Sequence, residues 1–253
     1  MTEVRQATIG LLLAAAIAVA WISLHVYGVF FHPMEGGGLL AAPMLVAAIC
    51  WLNVGLFIVA HDCMHGSLAP RRAKLNRLIG RLMLRLYAGF SFDRLIAKHF
   101  DHHRHAGTAH DPDFSEAHPR AFWPWYLAFL RQYFGWRELA VLTFLVAFYL
   151  LVLGASYPNL LLFWALPAIL SSLQLFLFGT YLPHRAEEQD FTDRHRARSN
   201  DYSWTVSLLS CFHFGYHHEH HLAPHVPWWR LPAERARLRA ASEASSPGYR
   251  QLV

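Results

Sequence analysis

Four long apolar runs limit what this chain can fold into. They cover residues 8–31, 39–60, 139–154 and 159–182. Crossing the hydrocarbon core of a bilayer takes about 20 apolar residues as a helix, and lipid offers no partner for an unpaired backbone group. The expectation is therefore an all-α integral membrane protein, with about four transmembrane helices in two hairpins. The third run is the shortest and needs help from Tyr133–Trp136 or from local thinning of the bilayer. The first run is too long for the apolar core of a secretory signal and reads as an uncleaved anchor. Hydrophobic residues at 55% and charged residues at 15% fit lipid as the solvent for much of the chain. No separate soluble domain or internal repeat interrupts residues 1–253, so one membrane-bound domain is expected.

Charge gives the orientation. All 22 Lys and Arg residues lie in the N-terminal tail, between the second and third runs, or after the fourth. The hairpin tips at 32–38 and 155–158 have none. The positive-inside rule then places both termini, the segment 61–138 and the segment 183–253 on the cytoplasmic side, as a cytosolic or interfacial helical cap. Between these spans, Leu75, Leu78, Ile79, Leu82 and Leu86 recur at helical spacing, with Lys74, Arg77, Arg81 and Arg85 on another stripe. That pattern fits a helix lying among lipid headgroups, or a basic helix packed on the domain. The aromatic cluster at 122–136 fits an interfacial belt or packing between helices. The positive-inside rule accounts for the net charge of +5, and no nucleic-acid recognition fold accompanies it. Cys50, Cys63 and Cys211 match no disulfide or zinc-ribbon spacing.

The chemistry lies in the histidines, 18 in all, most of them in three short stretches on that basic side. His61 and His65 are four apart. His99, His102 and His103 follow the pattern i, i+3, i+4, as do His217, His220 and His221. Residues three or four apart share a helix face, so each set can reach one cavity. Together they supply eight imidazoles, too many for one four-coordinate ion and suited to two. Imidazole sets accept zinc, copper, iron or nickel. His184, just after the fourth run, is a candidate ninth ligand; His213, His105 and His110 are weaker candidates. Asp62, Asp101, Asp111, Asp113 and Glu219 could orient ligands by accepting their second ring N–H. His25, His32, His118, His195 and His225 fall outside these patterns. Cys63 points away from the His61–His65 face and reads as packing. A divalent-metal transporter is the rival from another class, but transporters place polar ligands near the bilayer midplane.

The three sets match the boxes HxxxH, HxxHH and HxxHH, and on them the chain resembles the membrane-bound fatty-acid desaturase-like superfamily. The stretches HDCMHG (61–66), HHRHAGTAHDPDF (102–114), TYLPHR (180–185) and FHFGYHHEHHLAPHVPWWRLP (212–232) resemble the bacterial β-carotene ketolase branch. Ala106 departs from the proline expected there and is not a ligand position. The resemblance implies two iron ions held by the histidines, dioxygen as co-substrate, a ferredoxin-like or similar electron donor, and a carotenoid substrate in the bacterial inner membrane. It also implies oxidation of the C4 methylene of β-ionone rings to a ketone. A fatty-acyl desaturase or hydroxylase and a carotenoid 3-hydroxylase share the boxes and remain alternatives.

Overall fold

The computed structural model describes residues 1–187, 191 and 193–245, and is all-helical there. We number its main helices α1 (Glu3–Phe31), α2 (Gly37–His65), α3 (Ala73–Ala88), α4 (Phe92–His105), α5 (Phe122–Tyr133), α6 (Trp136–Leu151), α7 (Tyr157–His184), α8 (Trp204–Cys211), α9 (His217–Leu222) and α10 (Leu231–Ser245). Three of them, α1, α2 and α7, are long and apolar enough to cross a membrane. A fourth span exists if α5 and α6 count as one broken element, for the chain bends by 82° between them. The expected third span is thus modified: Trp136 opens α6, while Tyr133 belongs to a helix running in another direction. Gly135 makes the elbow, its N–H donating to the Glu138 carboxylate at 3.0 Å.

α2 is the most enclosed of the three long helices. Its Gly55 allows close packing, because a Cβ there would lie 2.7 Å from Phe212 and 3.1 Å from Ile17. The Trp21 indole N–H donates to Asn53 at 2.6 Å, tying α1 to α2 inside the apolar region. At one end of the bundle, Asn159 donates to the carbonyls of Gly28 and His32, both at 2.9 Å, joining the two hairpin tips. At the other end, Gln6 donates to the Ser67 carbonyl at 2.7 Å. The start of α1, the end of α2 and the histidines therefore share one end of the molecule.

α3 packs on α2 and buries Asn76, Gly80, Met83, Leu84 and Tyr87. Its leucine stripe is split: Ile79 and Leu86 pack against the core, while Leu78 and Leu82 are 66% and 49% exposed. The helix is packed on the domain and also presents leucines and arginines outward, combining features of the two sequence alternatives.

α7 contains π turns at Leu161–Ala165 and Leu177–Tyr181. Each covers the residue four before a proline, Phe163 before Pro167 and Gly179 before Pro183. Proline has no N–H and its ring clashes with the carbonyl four residues back; the wider π turn accommodates both.

Candidate metal centre

Helix ends position every imidazole of the site. α2 stops directly after His65 because Gly66 adopts φ +70°, the left-handed conformation that glycine takes without penalty. α8 ends in two successive left-handed residues, Phe212 (φ 48°) and His213 (φ 62°). This turn folds Phe214 and α9 back beneath α2 and α4, and the His213 N–H donates to the Ser207 carbonyl at 2.9 Å.

Nine histidines converge in two groups, His61, His65, His99, His103 and His220 in one, and His102, His184, His217 and His221 in the other. Within each group the ligand atoms lie within 4.8 Å of one another. The i, i+4 pairs stay together, as 61/65, 99/103 and 217/221. Consecutive histidines separate: His103 and His220 join the first group, His102 and His221 the second. Neighbouring side chains on a helix diverge by about 100°, so an HH pair can straddle two adjacent sites. Each triplet therefore divides between the two groups. The groups touch, with the His103 and His221 rings stacked at 4.2 Å between centroids.

Nitrogen faces nitrogen across these groups. Nε2···Nε2 distances are 2.6 Å for His65–His99, 3.0 Å for His103–His220, 3.2 Å for His102–His221 and 3.0 Å for His217–His221. Burial first, then neighbouring imidazoles, hold His99, His217, His220 and His221 well below the ordinary histidine range. The same causes push His103 down to about 2. Neutral imidazoles keep a lone pair for a metal. An octahedral edge at the ~2.1 Å metal–imidazole bond length is roughly 3.0 Å, close to the observed spacing. His61 Nε2 and His184 Nε2 are buried without any hydrogen-bond partner, at an expected cost of about 1–3 kcal/mol for each such group. A cation in each group removes that cost, so the residues fit a pair of metal ions.

Two of these histidines are oriented from behind. His102 Nδ1–H donates to Asp111 Oδ1 at 2.9 Å, and His184 Nδ1–H donates to the Arg196 carbonyl at 2.7 Å. Each bond fixes the tautomer that leaves Nε2 free. Burial opposes charge on His102, but Asp111 and Asp113 outweigh it and raise its pKa. Asp111 itself accepts the N–H groups of Gly107 and Asp113, both at 2.8 Å. Asp113 lies 3.8 Å from His102 Nδ1 and accepts the Tyr133 hydroxyl.

Other sequence candidates lie elsewhere. His213 joins neither group; its Nδ1 pairs with Ser207 Oγ at 3.1 Å. His105 and His110 face each other at 5.8 Å between ring centroids, and neither is in a group. Asp101 pairs with Arg104 at 2.8 Å on the surface. Asp62 Oδ1 is 4.0 Å from His61 Nδ1, beyond hydrogen-bond range, and Oδ2 accepts the Trp228 N–H at 3.2 Å. Glu219 faces Arg235 at 2.7 Å and accepts Ser199, so it orients no ligand. His218 lies outside both groups and pairs with Asp193 at 2.7 Å. The sequence reading missed Tyr133 and the Arg196 carbonyl, whose roles depend on contacts far apart in sequence.

A cavity of about 70 Å³ opens against both groups. Its walls include His61 and His99 of the first group, His102 and His217 of the second, and Phe57, Met64, Leu95, Phe129, Leu175 and Phe214. Asp113 and Tyr133 also line it. Both groups thus border one largely apolar cavity.

Comparison with known proteins matches residues 36–139 and 130–253 to the fatty acid desaturase family. The chain is 53% identical over 224 residues to a "Beta-carotene ketolase" of Paracoccus sp. (strain PC1), covering 88% of this chain and 90% of that protein. It is 51% identical over 228 residues to a "Beta-carotene ketolase" of Paracoccus sp. (strain N81106 / MBIC 01143), covering 90% and 92%. A more distant relative is an "sn-1 oleoyl-lipid 12-desaturase" of Anabaena variabilis, 26% identical over 75% of this chain and 68% of that protein.

Proposed function

Because this chain belongs to the fatty acid desaturase family, we propose that it is a β-carotene 4-ketolase that oxidises the C4 methylene of β-ionone rings to a ketone. The observation that carries the reading is the apolar cavity walled by histidines of both groups. The ketolase relatives at 51% and 53% identity support the substrate.

Two iron ions, one in each histidine group, would supply dioxygen activation and C–H oxidation. The chain's own residues do the rest. Phe57, Phe129, Leu175 and Phe214 enclose the ring and exclude water. Asp111 and the Arg196 carbonyl keep the protons on the outer nitrogens of His102 and His184. The Tyr133 hydroxyl donates to Asp113, so neither polar group of that pair reaches into the cavity unpaired. C4 is allylic to the polyene, and its C–H bonds are weaker than ordinary alkyl ones. Each hydroxylation consumes one dioxygen, two electrons and two protons; one oxygen atom stays on carbon and the other leaves as water. A second round at the same carbon gives a geminal diol, which loses water to the ketone. A ferredoxin-like protein would deliver the electrons. We further propose that residues 1–253 work as one domain in the inner membrane, with the histidine end in the cytoplasm, where the basic residues collect.

The test is product analysis in cells that accumulate β-carotene. The expected products carry one or two carbonyls at the 4-positions, and His61→Ala abolishes them without preventing membrane insertion. Hydroxylated carotenoids alone would make the chain a hydroxylase. Unchanged β-carotene with altered fatty acids would make it a desaturase.

A further inference from the structure

Two apolar grooves open on the sides of the helix bundle. The first, about 510 Å³, lies between α3, α5, α6 and α7. The second, about 760 Å³, lies between α2, α7 and α8.

The residues lining the first groove continue into the site. On α7, Ala168 and Ser172 line the groove while Leu175 and Gly179 line the site cavity. The spacings of four, three and four residues put all of them on one helix face. α5 repeats the arrangement: Tyr126 and Leu130 line the groove, Phe129 and Tyr133 the cavity, again on one face. The third wall closes where Tyr87 of the groove meets Phe57 of the cavity, with ring centroids 5.8 Å apart. From Ala168 to Gly179 the stripe runs roughly 16 Å at 1.5 Å per residue. The polar atoms along it are internally paired, with the Tyr126 and Ser172 hydroxyls 3.0 Å apart. A hydrocarbon, which can offer no hydrogen bond, suits such walls.

Of the residues lining the second groove, Trp51 stacks on Phe212 at 4.4 Å, and Gln174 donates to the Ser210 carbonyl at 2.7 Å. Neither groove shares a lining residue with the site cavity, but on α7 those of the second, Leu166, Leu170 and Gln174, lie on the face opposite the Ala168–Ser172–Leu175–Gly179 stripe.

We propose that the polyene arm of the carotenoid lies in the groove between α3, α5, α6 and α7, and that its ring reaches the metal centre along the Ala168–Ser172–Leu175–Gly179 stripe. This rests on the carotenoid reading above and names the residues that bind the non-reacting part of the substrate.

The experiment uses the full chain in lipid nanodiscs, metal-loaded and anaerobic, titrated with β-carotene and assayed for retained carotenoid. Ala168→Trp fills the groove. Ile169→Trp does so at its rim, where Ile169 is 57% exposed and a larger side chain is tolerated. Ala47→Trp fills the other groove. Both first-groove variants are expected to raise the half-saturating β-carotene roughly tenfold or more, the effect of losing about two buried methylene contacts. Iron content should be unchanged, and Ala47→Trp should bind like the unaltered chain. If Ala168→Trp loses its metal through misfolding, Ile169→Trp decides alone. Weakened binding in Ala47→Trp only, or wild-type binding in all three, overturns the proposal. Aerobic turnover separates it from the reaction itself. An unaltered chain that forms ketones while its first-groove variants bind normally refutes the groove and keeps the reaction. Groove-dependent binding without any ketone refutes the reaction and keeps the groove.

Discussion

His102 and His213 differ only in what surrounds them, and that difference decides what each can do. His102 holds its outer proton against Asp111 and turns Nε2 toward three other imidazoles. His213 spends Nδ1 on Ser207 and sits among Trp204, Tyr216 and Trp228. His102→Gln should therefore remove the metal of the second group, whereas His213→Gln should keep both ions, as read by elemental analysis of purified protein. Asp111→Asn should weaken metal binding about 10–100-fold, the usual consequence of losing a carboxylate behind a ligating histidine; competition with a chelator of known affinity measures it. His213 also sets a pH dependence. Burial pushes its pKa from 6.5 down to about 4, so the folded chain binds its proton less readily than the unfolded one. Its contribution to stability is complete above about pH 6.5 and is lost as pH falls toward about 4. Unfolding followed across that window should show a shallower decline in His213→Gln.

Among the elements, contact surfaces were harder to read than the helices themselves. The leucine stripe of α3 is visible in the sequence, yet it is divided: Ile79 and Leu86 pack against the core beside the buried Asn76 and Gly80, while Leu78 and Leu82 are exposed. Gly80 is there because Phe92, at the start of α4, lies against it: a Cβ would come within 2.1 Å of the ring. Gly80→Val should overpack this junction and destabilise the protein by roughly 1–3 kcal/mol, seen as a lower thermal inactivation temperature with the histidine set unchanged. The elbow between α5 and α6 has a similar origin. Its aromatic run predicts an element at the edge of a span but not the 82° bend, which brings Phe129 and Tyr133 to the cavity.

At the scale of the whole molecule, the metal centre joins helices that the sequence holds far apart. α2, α4, α7 and α9 all contribute histidines to the two groups, so metal bound there would couple to folding of this end of the bundle. Stripping the metal with a membrane-permeant chelator should lower the melting temperature by at least several degrees, following the mass-action dependence on ligand. An unchanged transition would mean that the histidine end is held together by packing alone.

The sequence by itself determined the helical class, the apolar spans and the histidines worth examining, because both the 3.6-residue period and the length needed to cross a bilayer are local properties. It also placed His184 beside the boxes, since a histidine closing an apolar run lies at the same end as the others. Only the tertiary structure decided which imidazoles share a site. It split His102 from His103 and His220 from His221, left Glu219 to Arg235, and joined Tyr133 to Asp113. The physical reason is that a helix fixes where a side chain points, while the partner it meets is fixed by how separate helices pack.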